Sequence, residues 1–212
     1  MKELDIWHLC FDKYKVLSVS DLSAIEKEKA SSFKFIEDKN NYIKSHLFLR
    51  DVLSHYFPNQ SKASWKYKIN PYGKPSLTSS FNLHFNLSHT SSHAYIICSK
   101  DAQCGIDIEE YTDMQLSSEL LDMVLCKKEQ KDINKKLFFK YWTLKEAYIK
   151  ARGKGLSIEL NKIDFSSWIN EESFMKDKQQ YWSYDKKEYS LSFCLLSKNE
   201  KIKKNFYTQD DL

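Results

Sequence analysis

The sequence has little glycine and little proline: four and three residues, respectively, among 212. Average usage of about 7% would give roughly fifteen glycines in a chain of this length. The four glycines are Gly73, Gly105, Gly153 and Gly155. Because glycine permits a positive φ or a close approach of backbone to a ligand, these positions are candidate binding points. Ordinary turns and a helix C-cap are the alternative.

Cysteine usage excludes two classes of small protein. The five cysteines are odd in number and scattered, and no C-x-x-C pair occurs. Neither a zinc ribbon nor a disulfide framework is therefore indicated, and reduced, mostly buried thiols are expected.

Long apolar runs are also absent. The longest lies near 94–98, far short of a membrane span, and residues 1–10 carry charges where a signal peptide needs apolar residues. We therefore expect a cytoplasmic protein without a membrane partner.

Composition and charge are those of a globular protein. Hydrophobic residues make up 42% of the chain and aromatic residues 15%, which favours a packed core. The length allows one large domain or two small ones. A net charge of +4 can favour a phosphorylated ligand or an acidic partner, but it does not demand nucleic acid.

The pattern of apolar residues predicts a mixed α+β protein. Alternation predicts strands over 3–9, 65–69, 81–87, 93–99, 104–109, 162–165, 181–184 and 189–197. Helical spacing predicts helices over 20–33, 38–57, 115–125 and 136–153. Ser20 and Asp38 are expected N-caps, and Gly153 is expected to end the last helix.

The strand over 104–109 carries two carboxylates on one face. Asp107 and Glu109 alternate with Ile106 and Ile108, so the acids share one side and the isoleucines the other. The two acidic Cα atoms would lie about 6.6 Å apart, and both side chains can reach one hard cation such as Mg²⁺ or Mn²⁺. A solvated strand face is the alternative, and burial decides between them.

The clearest helix adds a third carboxylate. Trp142, Glu146, Ile149 and Gly153 fall on one helical face, and Lys150 follows Glu146 by one turn. This spacing suits a metal-binding acid beside a phosphate-binding lysine. An ordinary surface Glu–Lys pair is the alternative.

Histidines gather around the end of one predicted strand. Ser88 and His89 stand where side chains can meet a ligand, and His84 and His93 flank them. No cysteine or carboxylate spacing supports a zinc site, and no hydrolase motif occurs. A structural histidine is the default there.

Taken together, these motifs resemble the 4′-phosphopantetheinyl transferases. The resemblance rests on "GIDIE" (105–109), on Glu129 in "LCKKE", and on "WTLKEAYIK" (142–150). "GKP" (73–75) and "NLSH" (86–89) look like upstream motifs of the larger, surfactin-synthetase-activating type. The likeness covers roughly residues 20 to 160, and the paired later motifs are specific together.

The resemblance implies two similar α+β halves around a pseudo-twofold axis, with coenzyme A between them. We expect an N-terminal half over 1–102 and a C-terminal half over 103–212 that carries the metal-binding motifs. A faint echo between 96–101 and 194–200 is compatible with such a repeat. The implied activity moves phosphopantetheine from coenzyme A to a serine of an apo acyl or peptidyl carrier protein. The other product is adenosine 3′,5′-bisphosphate, and a monomer is the family expectation.

The resemblance also implies roles for individual residues. The expected Mg²⁺ ligands are Asp107, Glu109 and Glu146. The expected catalytic residues are Lys150, at the leaving phosphate, and Glu146 or Glu129 as general base. The expected coenzyme A contacts are Ser88, His89 and Lys150 at the phosphates, Lys74 and Lys29 near the adenine and 3′-phosphate, and Lys39.

Several positions depart from the family pattern. Leu125 and Cys126 precede Glu129 where relatives often have an aromatic and a small residue. Asn41 follows the "ED" pair where an arginine is common, leaving Lys39 or Lys44, which lack the bidentate fork of arginine. Glu26 stands where a basic residue is often found.

Two other functions remain as hypotheses. A catalytically inactive relative would hold coenzyme A or a carrier protein without transfer. A basic, aromatic-rich nucleic-acid binder would show steeply salt-dependent binding to single strands.

Overall fold

Two four-stranded sheets form the frame of the protein. The computed structural model describes residues 2–16, 18–78, 80–198 and 201–212. The strands are β1 Lys2–Cys10, β2 Lys68–Ile69, β3 Pro75–Ser76, β4 His84–His89, β5 His93–Ser99, β6 Cys104–Glu110, β7 Ser173–Lys176, β8 Gln179–Asp185, β9 Tyr189–Leu195 and β10 Ile202–Thr208. The helices are α1 Ala24–Ser31, α2 Ile36–Tyr56, α3 Ser118–Val124 and α4 Lys135–Arg152. The predicted α+β class is confirmed.

The two sheets repeat one order of elements. In the first, β1 is followed by α2 and the β4–β5 hairpin, and β5 returns to pair antiparallel with β1. In the second, β6 is followed by α4 and the β8–β9 hairpin, and β9 returns to pair antiparallel with β6. This repeat agrees with two similar halves, while the pseudo-twofold axis stays a prediction.

The last strand crosses back to the first sheet. β10 pairs parallel with β1, in a register that runs from Lys2 opposite Ile202 to His8 opposite Thr208. The strand order of that sheet is therefore β10-β1-β5-β4. The division at 102 and 103 stays a prediction, but Ile202–Thr208 lies in the sheet of the N-terminal half.

The core has three parts. One packs α2 on the first sheet, around Trp7 and Phe48. A second packs α4 on the second sheet, around Phe138. The third joins the facing sides of both sheets and contains Ile97 and Ile106. Apolar burial of this kind is non-directional, so this shared third part unites the halves without fixing the polar site beside it.

The helix ends follow from local chemistry. The N-cap Asn134 accepts a hydrogen bond from the Leu137 N–H, and Gly153 ends α4 with φ 63°, as predicted. α1 is capped by Ser23, which forms a capping box with Glu26, so the prediction of Ser20 is wrong. α2 begins at Ile36 with Asp38 in its first turn, so the prediction of Asp38 as N-cap is also wrong.

Strand predictions were mixed. The strand over 93–99 is confirmed, whereas the one over 65–69 is confined to Lys68–Ile69. The predicted strand over 162–165 is wrong: Leu160–Lys162 forms a 3₁₀ turn. Phe165, three residues after this turn, donates its N–H to the Glu129 carboxylate instead of to a neighbouring strand. Within the described ranges, no helix is both long and apolar enough to cross a membrane.

Candidate functional site

A close helix–strand contact at Gly105 creates the site. A Cβ added at Gly105 would stand 2.1 Å from the Ala147 carbonyl oxygen and 2.3 Å from the Ala151 nitrogen. Only glycine allows α4 to lie this near β6. Because side chains alternate along a strand, Asp107 and Glu109 face the same helix as Gly105. The acids are thereby brought beneath the face of α4.

Three polar side chains link the halves at this contact. The Lys150 ammonium donates to Asp107 Oδ1 at 2.5 Å and to Ser88 Oγ at 2.9 Å. The Ser88 hydroxyl donates to the same Asp107 oxygen at 3.0 Å. Ser88 lies on β4, Asp107 on β6 and Lys150 on α4, so the predicted coenzyme A contacts and the predicted metal ligand meet in one triangle.

Burial raises the pKa of all three carboxyl groups of the site. Burial raises the pKa of Asp107, against the opposing charge of Lys150. Burial and the charge of Asp107 raise the pKa of Glu109 to about 7, and the same two causes raise the pKa of Glu146. Asp107 is 2% exposed, so the alternative of a solvated strand face is wrong for it. The alternative of a surface Glu146–Lys150 pair is not observed, because Lys150 binds Asp107.

The donor set fits a divalent cation. Among the described residues, the buried Oδ2 of Asp107 has no hydrogen-bond partner. A buried carboxylate oxygen left unpaired beside two further carboxylates is unfavourable, and a hard cation relieves both conditions. The ligand oxygens of Asp107, Glu109 and Glu146 do not all lie within 4.8 Å of one another in this structure. The ligand atoms of Cys126, Glu129 and Asp164 do.

Glu129 lies outside this cluster and serves the core. It is 1% exposed, and it forms an ion pair with the fully buried Lys145. Its Oε2 also accepts from the Cys126 N–H at 3.0 Å, and its Oε1 accepts from the Phe165 N–H at 2.8 Å. Oε2 thus holds the loop before α4 to the helix, and Oε1 holds the segment after the helix. These contacts favour a structural role for Glu129, and its expected role as general base stays a prediction.

Lys74 is held by three hydrogen bonds within the protein. Its ammonium donates to Gln103 Oε1 and to the carbonyls of Cys104 and Ala151, each at 3.1 Å. Burial lowers the pKa of this ammonium. The side chain therefore ties the C-terminus of α4 to the "GKP" turn, and its expected place near the adenine and 3′-phosphate stays a prediction. Gly73 and Lys74 line the cavity described next.

A cavity of about 290 Å³ opens beside the triangle. Glu146 and Lys150 line one side of it, and Gly73, Gly153 and Gly155 line another. All three glycines have positive φ. Two of the three glycine-bearing stretches of the sequence therefore meet at one cavity, and the third, at Gly105, seats the helix behind it.

The remaining expected coenzyme A contacts lie on β4, α1 and α2. His89 ends β4 next to Ser88. The Lys29 ammonium lies 5.5 Å from the centroid of the Phe33 ring, and Lys39 lies in the first turns of α2. Lys44 donates to the Phe11 carbonyl at 2.7 Å. The roles of His89, Lys29 and Lys39 stay predictions.

Two features of the site were not anticipated. The Asn86 side-chain oxygen accepts from the Ile106 N–H at 2.9 Å and so joins β4 to β6. Glu26, which departs from the family pattern, is buried in an ion pair with Arg50 and is 3.0 Å from His46 Nδ1. The spacing of His46 and Arg50, four residues apart on one helix face, was the available signal for this second network.

Comparison with known proteins identifies the family. A family model described as the 4′-phosphopantetheinyl transferase superfamily matches residues 103–194. The chain is 32% identical over 153 residues to the 4′-phosphopantetheinyl transferase Sfp of Bacillus subtilis (strain 168), an alignment that covers 68% of this chain and 66% of that protein. It is 31% identical to the 4′-phosphopantetheinyl transferase gsp of Aneurinibacillus migulanus, with 70% and 62% covered. It is 29% identical to the 4′-phosphopantetheinyl transferase HetI of Nostoc sp. (strain PCC 7120 / SAG 25.82 / UTEX 2576), with 77% and 74% covered.

The chain therefore spans slightly less than two thirds of the length of the Bacillus relative. The matched part includes β6, α4 and the triangle residues on them, Asp107 and Lys150. The chain belongs to the 4′-phosphopantetheinyl transferase superfamily.

Proposed function

We propose that this chain transfers the 4′-phosphopantetheine group of coenzyme A to a serine of an apo acyl or peptidyl carrier protein. Members of this superfamily use coenzyme A as substrate. In the transfer, the serine oxygen forms a bond to phosphorus while the bond from that phosphorus to the leaving phosphate breaks, which releases adenosine 3′,5′-bisphosphate. The observation that carries the proposal is the Ser88–Asp107–Lys150 triangle, which adjoins a cavity that Glu146 and Lys150 line.

Asp107, Glu109 and Glu146 are the residues that would hold Mg²⁺, and Mn²⁺ shares their oxygen preference. When bound, such an ion neutralises negative charge on the phosphoryl oxygens. Lys150 places a positive charge at the same point, where the leaving phosphate gathers charge. Ser88 fixes the Lys150 ammonium through its hydroxyl.

Glu146 is the proposed base for the carrier serine. Its carboxylate lines the cavity, and burial raises its pKa. A carboxylate with a raised pKa is a better proton acceptor at neutral pH than an ordinary one. Glu146 would therefore take the hydroxyl proton as the serine oxygen attacks phosphorus.

The wider setting follows from the arrangement of the chain. Ser88 comes from the first sheet, and Asp107 and Lys150 come from the second half, so one chain supplies the site and we propose a monomer. The five cysteines are free, which favours a reducing compartment such as the cytoplasm. We propose no part for nucleic acid or membrane.

Intact-mass spectrometry of an apo carrier protein tests the proposal. The carrier is incubated with this protein, coenzyme A and Mg²⁺, with and without a chelator. We expect a mass gain of one phosphopantetheine group, blocked by the chelator and abolished by Asp107→Ala. No gain with fatty-acid, polyketide or peptide carriers would contradict transfer, and retained coenzyme A binding would then favour an inactive relative.

A further inference from the structure

A further cavity lies on the face of the second sheet that is turned away from α4. We call it the β8–β10 cavity; its volume is about 420 Å³. Its lining includes Ser173, Met175, Gln180, Trp182 and Lys204. Tyr181 packs in the core under α4, whereas Trp182 packs in the core between the sheets. Because side chains alternate along a strand, Gln180 shares the face of Trp182, and this cavity is separate from the one beside Lys150.

Gln180 presents an unpaired hydrogen-bond donor at this cavity. Its side chain belongs to a residue that is 7% exposed, and its Nε2 has no hydrogen-bond partner among the described residues. An amide nitrogen left unpaired away from water costs free energy, which an apolar side chain at the same position would avoid. Since an amide nitrogen only donates, the position fits a ligand that brings an acceptor.

Lys204 adds a positive charge to the same cavity. Its ammonium donates to the Tyr184 hydroxyl at 2.9 Å and lies 5.6 Å from the ring centroids of both Trp182 and Tyr184. These rings restrain the ammonium through cation–π contact. None of the ion pairs formed within the described ranges includes Lys204. The cavity therefore has a cationic donor without a carboxylate partner in the protein.

The rest of the wall is mainly apolar. Met175 lies opposite Gln180 in the β7–β8 pair, so the two side chains share one face of the sheet. Met175 is 36% exposed, and Ile202 of β10 closes the other side of the cavity. An apolar wall with a few convergent polar groups is the usual composition of a small-molecule site.

We propose that the β8–β10 cavity binds a small monocarboxylic acid with an aromatic or aliphatic body. The carboxylate accepts hydrogen bonds from Gln180 Nε2 and from the Lys204 ammonium, and the body packs on Met175 and Trp182. One negative charge matches one lysine, whereas a phosphate brings more charge and more acceptor oxygens than these two donors satisfy. The inference goes beyond the proposed function and does not depend on it.

Titration of the unmodified protein with phenylacetate, followed by ¹H–¹⁵N NMR, tests the inference. Phenylacetamide, which has the same shape without the charge, and inorganic phosphate are the comparison compounds. We expect phenylacetate to bind about 10-fold more tightly than either of them or better, and to shift the Gln180 side-chain amide and Trp182 indole resonances. Equal affinity for either comparison compound, or no binding of phenylacetate, would overturn the inference.

A pair of lysine variants separates the site from a general attraction of anions. Lys204→Met keeps the apolar stem and is expected to weaken phenylacetate binding by about 10-fold. Lys203→Met is the matched control, because Lys203 is exposed on the same strand and does not line the cavity. Its affinity for phenylacetate should equal that of the parent. Equal losses in the two variants would mean that net charge alone attracts the acid, which would overturn the inference.

Two further variants test the amide. Gln180→Glu sets a second negative charge against the ligand and is expected to abolish binding. Gln180→Leu is expected to weaken binding while its ligand-free Tm stays at or above that of the parent, because no buried amide is then left unpaired. A lower Tm with unchanged affinity would remove Gln180 from the site.

The result is distinguishable from that of the proposed function. Saturating coenzyme A is expected to leave the affinity for phenylacetate unchanged, since the two cavities share no lining residue. Competition between them would place phenylacetate in the cavity beside Lys150 and overturn the inference. Absence of transfer to any carrier protein would contradict only the proposed function.

Discussion

Lys150 supplies a positive charge beside the carboxylates of the site. Its ammonium is 2.5 Å from Asp107 Oδ1 and 2.9 Å from Ser88 Oγ. Lys150→Ala is expected to lower kcat/KM for coenzyme A by about 10²-fold, because a positive charge is lost where the leaving phosphate gathers charge. Steady-state transfer to a carrier protein measures it.

Lys136→Ala is the control for Lys150, since Lys136 is exposed in the first turn of the same helix. It should leave kcat/KM unchanged. Equal activity of both variants would remove Lys150 from the site.

Glu109 predicts a pH dependence of stability in the metal-free protein. Burial and the charge of Asp107 raise the pKa of Glu109 from 4.5 to about 7. The folded state therefore binds more protons than the unfolded state between these values, so this contribution to stability is lost as pH rises from about 4.5 through 7. The melting temperature in chelator is expected to fall across that range, and Mg²⁺ should raise it more at pH 8 than at pH 5.5.

Glu109→Gln supplies the comparison, because it removes the titrating group and keeps the side-chain size. Its melting temperature should depend less on pH, and its response to Mg²⁺ should be smaller. A variant that follows the parent in both measurements would exclude Glu109 as the source.

Single-residue roles were predictable from sequence only where the local pattern decides them. Alternation placed Asp107 opposite Ile106 and Ile108, and the structure agrees: both isoleucines lie in the core between the sheets. The roles of Glu129 and Lys74 depend on partners distant in the chain, respectively Lys145 and Ala151. Spacing along the sequence does not specify such partners.

At the scale of elements, the buried Glu129–Lys145 pair holds the loop before α4 to the helix. Glu129→Gln leaves the Lys145 ammonium buried without its carboxylate, which is expected to destabilise the fold by about 3–5 kcal/mol. Urea unfolding measures the loss. The pH–rate profile of the folded variant is expected to keep the shape of the parent profile, because Glu146 is the proposed base.

Asp164→Asn is the matched control, since Asp164 pairs with the exposed Lys128 at 3.2 Å and exposed pairs contribute below about 1 kcal/mol. A stable Glu129→Gln protein that has lost one limb of the pH–rate profile would restore Glu129 as a base.

Elements with strong periodicity or caps were the predictable ones. α4 has a polar N-cap and a left-handed glycine at its end, and it was found within one residue of its observed limits. β10 was missed because its burial is shallow and its partner, β1, lies about two hundred residues away in the chain. Parallel pairing of chain ends leaves no local signal.

The whole molecule is built from two repeated strand–helix–hairpin units joined along the facing sides of their sheets. The sequence echo at 96–101 and 194–200 falls on β5 and β9, which have the equivalent positions in the two sheets; residues 199 and 200 lie outside the described part. The site lies where β4 of one unit meets β6 and α4 of the other. Neither unit alone contains the Ser88–Asp107–Lys150 triangle, so the proposed site and the joining of the halves depend on the same contact.

The crossing of β10 predicts that the C-terminal residues stabilise the N-terminal sheet. Besides the ladder with β1, the Asn205 side chain donates to Asp5 Oδ1 at 2.8 Å, and Lys204 donates to the Tyr184 hydroxyl at 2.9 Å. Removing residues 202–212 leaves β1 with an unpaired edge. At about 0.5–1.5 kcal/mol for each lost hydrogen bond, we expect a loss of roughly 3 kcal/mol or more.

For a chain of this size, that loss corresponds to a fall of roughly 6–12 °C in Tm, which calorimetry measures. Removing only residues 210–212 keeps β10 and is the control. Hydrogen exchange should show β1 amides losing protection in the longer deletion while those of β6 and β9 keep theirs, because β10 pairs only with β1 among the described strands. An unchanged Tm would mean that pairing with β5 is enough to stabilise β1. It would also favour the predicted division of the halves at residues 102 and 103.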